Sequence, residues 1–256
     1  MSAPQAINPV DGVIGELRSS IAWTLTGPSR IGYFASLYLR VTEAIRSKIG
    51  TGYFDDDSRM ENLDAAFASR YLSAVQQLRS QDPALLAALP KAWAVALDAT
   101  NRNGFIIVQH LLLSINPHIN IDLAVAADRT CPGSSIAALH GDFDKINSVV
   151  AGVFPTVISE IGALSPYLHL LSDLSADGET SIINFSLVAA RDASWAMALG
   201  LASLPLSAQE EAIALENVPI AALGKGIVDP GFVASGVVGQ LACGAANLGR
   251  SRLLGG

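Results

Sequence analysis

One segment limits the fold of this chain more than any other. It reads Gln109-His110-Leu111-Leu112-Leu113-Ser114-Ile115-Asn116-Pro117-His118-Ile119-Asn120-Ile121-Asp122. It is among the most apolar parts of the sequence, so it belongs in a core, yet it carries two histidines and a carboxylate. A helix advances about 100° per residue, which puts His110, Ser114, His118 and Asp122 within roughly 120° of one another on one stripe. Polar groups in such a place must be satisfied, by the core itself or by a ligand. Pro117 falls inside the segment. Proline lacks an N–H and clashes with the carbonyl four residues back, so a break or kink is predicted near Asn116. The break would free backbone carbonyls beside His110 and His118.

The rest of the chain reads as helix. Ala, Leu and Ile dominate, and no sustained alternation of polar and apolar residues suggests a strand. The expected class is all-α: a single helical domain over 1–256, with loose tails near 1–9 and 249–256. The predicted helices are 10–23, 33–49, 59–79, 83–98, 102–115, 118–127, 142–161, 166–173, 179–203, 207–215 and 230–248. Asp57 or Ser58 can cap the third helix, and Asp82-Pro83 is an N-cap followed by proline at the first helical position. Ser207 opens Ser-Ala-Gln-Glu, a capping-box pattern. Gly50 and Gly52 stop the helix before them.

Composition narrows the function. Half of the 256 residues are apolar and only 15% are charged, against about 25% charged in an average globular protein. A large core with an apolar cavity is expected. A net charge of -7 with no basic run argues against nucleic-acid binding. The apolar runs 105–115 and 193–206 are short of the ~20 residues that a membrane span needs. Met1 to Gly15 has no basic start followed by an apolar run, so no signal peptide is expected and the location read from sequence is cytoplasmic. Cys131 and Cys243 are read as reduced thiols, with no Cys-x-x-Cys zinc pattern.

Several charges fall on faces that the apolar pattern assigns to the core. In 59–79 the stripe is Leu63, Phe67, Ala74 and Leu78, with Arg70 among them and Asp64 and Tyr71 at one border. In 179–203 it is Val188, Trp195 and Leu199, closely flanked by Arg191 and Asp192. In 33–49, Phe34, Tyr38, Val41 and Ile45 point inward. A buried charge costs several kcal/mol unless paired. Asp64, Arg70, Asp122, Arg191 and Asp192 are therefore expected to pair inside the bundle or to line a polar cavity floor.

Three chemistries suit these residues. His110, His118 and Asp122 are ligand types for zinc, iron or manganese, with a fourth ligand from Asp64, Asp144, His140 or Glu43. Alternatively, a His-Asp pair serves as general base and orienter without metal. Ser114 lies one turn from both histidines, but no Gly-x-Ser-x-Gly elbow is present. Clustered acids at Asp55-Asp56-Asp57 could hold magnesium, although capping and solvation explain them. Asp142 reads as an N-cap, with Asp144 and Asn147 facing inward one turn on.

Five segments together resemble a mostly bacterial, all-helical family of unknown function. They are Phe34 to Thr42, Leu63 to Tyr71, His110 to Leu123, Asp142 to Asn147 and Ala190 to Trp195. The resemblance runs from about residue 30 to 235. Its most specific part is His-Leu-Leu-Leu…Asn-x-His-Ile-Asn-x-Asp-Leu. This chain has Pro117 where a small residue such as alanine is expected, and Ser114 where glycine is expected. The resemblance implies one all-α domain with Asn116, His118, Asn120 and Asp122 at its functional centre, and it implies no activity.

The sequence reading is an enzyme acting on a small, largely apolar molecule. In its first form a divalent metal on His110, His118 and Asp122 activates water for hydrolysis. Asp64 then serves as ligand or base, and Arg70 or Arg191 orients an anionic group. In its second form a metal-free cyclase or isomerase of natural-product biosynthesis moves protons through His-Asp or Arg-Asp pairs. The third reading is a non-catalytic ligand-binding or interaction protein. His118, Asp122, Asp64, Arg70, Arg191 and Asp192 are the candidate catalytic residues, and Asn116, Asn120, Tyr71 and Trp195 the candidate ligand-binding ones. A homodimer would cover an exposed apolar patch.

Overall fold

The structure is a computed structural model that describes residues 9–27, 29–102, 105, 107–164 and 178–228, without side chains at 158–164 and 178–186. It is all-α, with no strand among the described residues. The helices are α1 (Pro9–Thr24), α2 (Ile31–Arg46), α3 (Asp57–Ser80), α4 (Pro83–Ala87), α5 (Lys91–Ala99), α6 (Ile107–Pro117), α7 (Leu123–Thr130), α8 (His140–Leu164), α9 (Gly178–Ala202) and α10 (Leu206–Val228). A π turn, His118–Asp122, joins α6 to α7, and a 3-10 turn, Gly133–Leu139, leads into α8. The expected helices at 166–173 and 230–248, the tails and Cys243 lie outside the described residues. Cys131 is a buried free thiol.

Local chemistry sets most of the boundaries. Asp56, one residue before the expected caps, accepts from the Arg59 backbone N–H at 2.9 Å and starts α3. Asp82 accepts from Ala84 N–H at 2.8 Å, with Pro83 at the first position of α4. The predicted 83–98 helix divides at Pro90, where the chain is extended. Pro219, by contrast, is absorbed, and α10 runs on well past residue 215. After α2 the chain turns through Gly50 and Gly52, both at positive φ. No helix among the described residues is long and apolar enough to cross a membrane.

Two apolar clusters fill the interior. One gathers side chains of α3, α7, α8, α9 and α10 around Met60, Leu123, Phe143 and Ile220. The other gathers α1, α2, α3, α5 and α6 around Leu17, Tyr71, Trp93 and Leu97. The π turn His118–Asp122 touches α3, α6, α7, α9 and α10, which makes it the hub of the bundle.

One helix face was misread from the sequence. In α9, Val188 and Leu199 are substantially exposed, while Arg191, Ser194, Met197, Ala198 and Leu201 are buried. Residues 191, 194, 198 and 201 follow helical spacing, so this is one coherent face. It includes the small side chains Ser194 and Ala198, and α9 packs extensively against Ala-rich α7. Close helix approach decides this face, and large apolar residues are left outside.

Asp142 does not act as an N-cap but closes the loop between α2 and α3. Its carboxylate is fully buried and accepts the backbone N–H of Asp55 (2.7 Å) and of Asp56 (3.1 Å). It also meets Arg59 (2.8 Å) and Lys145 (3.0 Å). Burial alone would raise its pKa. The Asp55 N–H, Arg59, Lys145 and the Asp56 N–H outweigh that and hold the carboxyl below its usual value. Asp142→Ala is expected to lower stability by roughly 2–4 kcal/mol, because it strands two backbone donors and leaves Arg59 with only its longer contact to Asp56. It should also speed amide exchange at Asp55 and Asp56. Denaturant melts within 0.5 kcal/mol of wild type would show that the loop holds without this clamp.

Candidate functional site

The predicted break at Pro117 takes another form. The helix does not stop there but widens by one residue. The Leu123 N–H reaches the His118 carbonyl, an i to i+5 bond, the mark of a π turn. Within this turn His118 and Asp122 lie on the same side, and His118 Nδ1 is 3.3 Å from Asp122 Oδ2.

Asp122 is 1% exposed and binds three side-chain donors. Arg70 of α3 donates Nε–H to Oδ1 at 2.7 Å, and Trp93 of α5 donates its indole N–H to Oδ2 at 2.8 Å. The third is His118. A carboxylate only accepts, so the imidazole hydrogen sits on Nδ1 and Nε2 carries a lone pair. Burial lowers the His118 pKa, Asp122 opposes the drop, and the net direction is down. The ring is therefore neutral at pH 7. Its Nε2 has no hydrogen-bond partner among the described residues.

Aromatic rings fix the imidazole. Phe67 stacks on it at 3.7 Å and 8°, and Tyr38 meets it edge-on at 4.7 Å. Phe34 and Tyr71 complete the surround. The hydroxyls of Tyr38 and Tyr71, Thr42 Oγ1 and Asp64 Oδ2 also lack partners among the described residues. Burial pushes the Asp64 carboxyl up to about 7. Burial, then the charges of Asp64 and Asp122, raise the Tyr38 pKa well above normal, and burial raises that of Tyr71.

Tyr38, Asp64 and His118 line one cavity, with Arg191 as its fourth polar residue. Phe34, Met60, Leu63, Ile146, Val150 and Phe154 are among its apolar walls. Its volume is about 70 Å³, several times the room one water needs. Asp122, Arg70 and Trp93 border a separate, more polar cleft with Ser69, Ser73 and Gln77. Asp122 meets the first cavity only through His118.

The other sequence candidates divide clearly. Tyr71 is at the centre, and Arg70 reaches it from a position 25% exposed. His110 is buried two turns away, between Tyr33 and Phe105, about 12 Å along the axis from His118. Burial, then the positive charge of Arg30, lowers its pKa to about 4. Asn116 donates to the Ile220 carbonyl at 2.8 Å, and Asn120 donates to the Asn116 carbonyl at 2.9 Å. Asn116 thus ties α6 to α10 and Asn120 ties the π turn back to α6, and both stand apart from the cavity. Asp192 is exposed, because one residue beyond Arg191 turns it outward. Trp195 stacks on His140 at 4.5 Å, away from the cavity. His140 and Asp144 are half-exposed, and Glu43 pairs with Arg18 on the surface.

The expected metal ligands therefore do not converge. Among the described residues no three of His, Cys, Asp and Glu come together as a ligand set. Only His118 and Asp122 are neighbours, and both Asp122 oxygens are already engaged. The donor set does not fit a divalent metal. Trp93 is the residue that the sequence reading missed. A buried indole N–H must find an acceptor, but nothing in the sequence connects it to Asp122, 29 positions away.

With this geometry in place, the chain can be assigned to a class: an all-α bundle built around a buried His-Asp pair. Residues 10–230 match the family of unknown function DUF5995, and the chain belongs to that family. No curated protein and no solved structure matches it.

Asp64 gives this site a pH signature. Its carboxyl titrates near 3.8 when exposed and near 7 when folded. As pH rises from 4 to 7, the unfolded chain has already lost this proton while the native chain still holds it. Stability from this group therefore falls across that window and is flat on either side. Asp64→Asn should gain on wild type by a few kcal/mol between pH 4 and pH 8. Parallel stability curves for the two proteins would show that Asp64 does not titrate there.

Proposed function

We propose that this protein is a metal-free enzyme that moves a proton on a small, largely apolar molecule, in the manner of an isomerase or cyclase. His118 is the base, and Asp122 holds it in the required tautomer. The reading rests chiefly on one observation: Nε2 of a neutral, Asp-oriented imidazole has no partner among the described residues and lies beside an apolar cavity. An oriented His-Asp pair beside a cavity that can take a small molecule is an arrangement suited to general-base catalysis. Asp64, with its pKa about 7, is poised to give or take the matching proton near neutral pH. Arg70 and Trp93 act as positioning residues, because they hold Asp122 rather than touch the cavity contents.

The test follows carbon-bound protons in deuterium oxide. A panel of small aldehydes and ketones, cyclohexanone among them, is incubated with the protein, and α-proton exchange is read by NMR. Wild type is expected to accelerate exchange of at least one member, and His118→Gln to lose a factor of roughly 10²–10⁴ while still binding that compound. Binding to both proteins without any exchange would sink the enzymatic reading and leave a ligand carrier.

A further inference from the structure

Arg191 does not fit an apolar cavity that takes a neutral guest. It lies on the buried face of α9 and is 3% exposed. Its Nε–H donates to Asn147 Oδ1, one Nη2–H donates to the Phe143 carbonyl at 2.7 Å, and the guanidinium lies over the Phe143 ring at 4.5 Å. A guanidinium has five N–H donors. Two are used, which leaves three without a partner among the described residues. Burial lowers the Arg191 pKa to about 10, so it remains charged at neutral pH.

No carboxylate among the described residues forms an ion pair with it. Asp144 and Asp192 act on it only through space, and both are exposed and solvated. This contrasts with the other two inward arginines, since Arg70 pairs with Asp122 and Arg59 with Asp142. Among the other cavity groups, His118 is neutral, and Asp64, pushed by burial up to about 7, is only partly ionised at neutral pH and forms no salt bridge with Arg191 among the described residues. A buried cation without a counter-ion is strongly unfavourable, and a planar fork with free donors suits a carboxylate. Arg191 also lines a shallow cleft between α8 and α9 with exposed Ala151 and Val188, which gives a route from outside.

We infer that the natural guest of this cavity is a small monocarboxylate, with its carboxylate on Arg191 and its apolar remainder in the cavity that reaches His118. The inference rests on the cavity reading proposed above and adds the substrate class to it. Of the two arginines that the sequence offers for an anionic group, Arg191 rather than Arg70 is the one this inference assigns.

Hexanoate and its neutral isostere hexanamide are the probes. Each is titrated into full-length wild type, Arg191→Met and His118→Gln, with heat and NMR as readouts. Wild type should bind hexanoate at least tenfold more tightly than hexanamide. Arg191→Met should lose that preference, and His118→Gln should keep it. The Arg191 Nε–H resonance of wild type should move with hexanoate and stay still with hexanamide, a readout that stands even if the methionine variant does not fold. Equal binding of the two probes by wild type would overturn the carboxylate inference and leave the cavity reading intact. Failure of wild type to bind either probe would also overturn it. The α-proton exchange test with neutral ketones then decides separately whether the cavity reading survives.

Discussion

The carboxylate of Asp122 is the interaction on which the rest of this structure depends. It joins α3 through Arg70, α5 through Trp93, and its own π turn through His118. Those elements belong to both apolar clusters, so one acid fastens the two halves of the interior together. An ionised carboxylate in such a place is tolerable only when well satisfied, and here three donors satisfy it. The same bonds fix the imidazole tautomer and leave Nε2 as a lone pair. Stability and the candidate chemistry therefore share one group.

Pro117 makes this possible in an unexpected way. Read from sequence, it predicts a broken helix, because its ring and missing N–H oppose the α ladder. Widening the next turn to i to i+5 bonding accommodates the proline without ending the helix. The turn brings His118 and Asp122 onto the same side, facing α3, while the chain continues into α7. A local rule of backbone chemistry is met by a geometry that positional patterns do not reveal.

What the sequence disclosed follows from the same physics. The all-α class, most helix starts, and the burial of His110, Ser114, His118 and Asp122 were legible, because caps and 3.6-residue spacing are local signals. The Arg70–Asp122 pairing was legible in kind, since an inward charge needs a partner. Three things were not. The face of α9 was inverted because close packing of Ser194 and Ala198 outweighed the size of Val188 and Leu199. His110 was grouped with His118 because an angular stripe says nothing about the two turns of axial separation between them. Trp93 and the Asp142 clamp join residues 29 and 87 positions apart, and single-sequence patterns carry no such pairing.

Only 15% of the chain is charged, yet Asp64, Asp122, Asp142 and Arg191 are all buried. Asp142 and Asp122 each have a local reason: one holds a loop, the other joins helices. Asp64 holds nothing comparable and keeps an orphaned oxygen, and Arg191 ties α9 to α8 through neutral acceptors, without a salt bridge to a carboxylate among the described residues. Apolar residues of similar size would stabilise the bundle at Asp64, as replacement of buried ionic groups often does. Buried charges that weaken a core are the pattern expected where stability is given up for function. Asp64 and Arg191 both face the cavity that His118 lines, which makes that space, rather than the expected metal centre, the place to look for what this protein does.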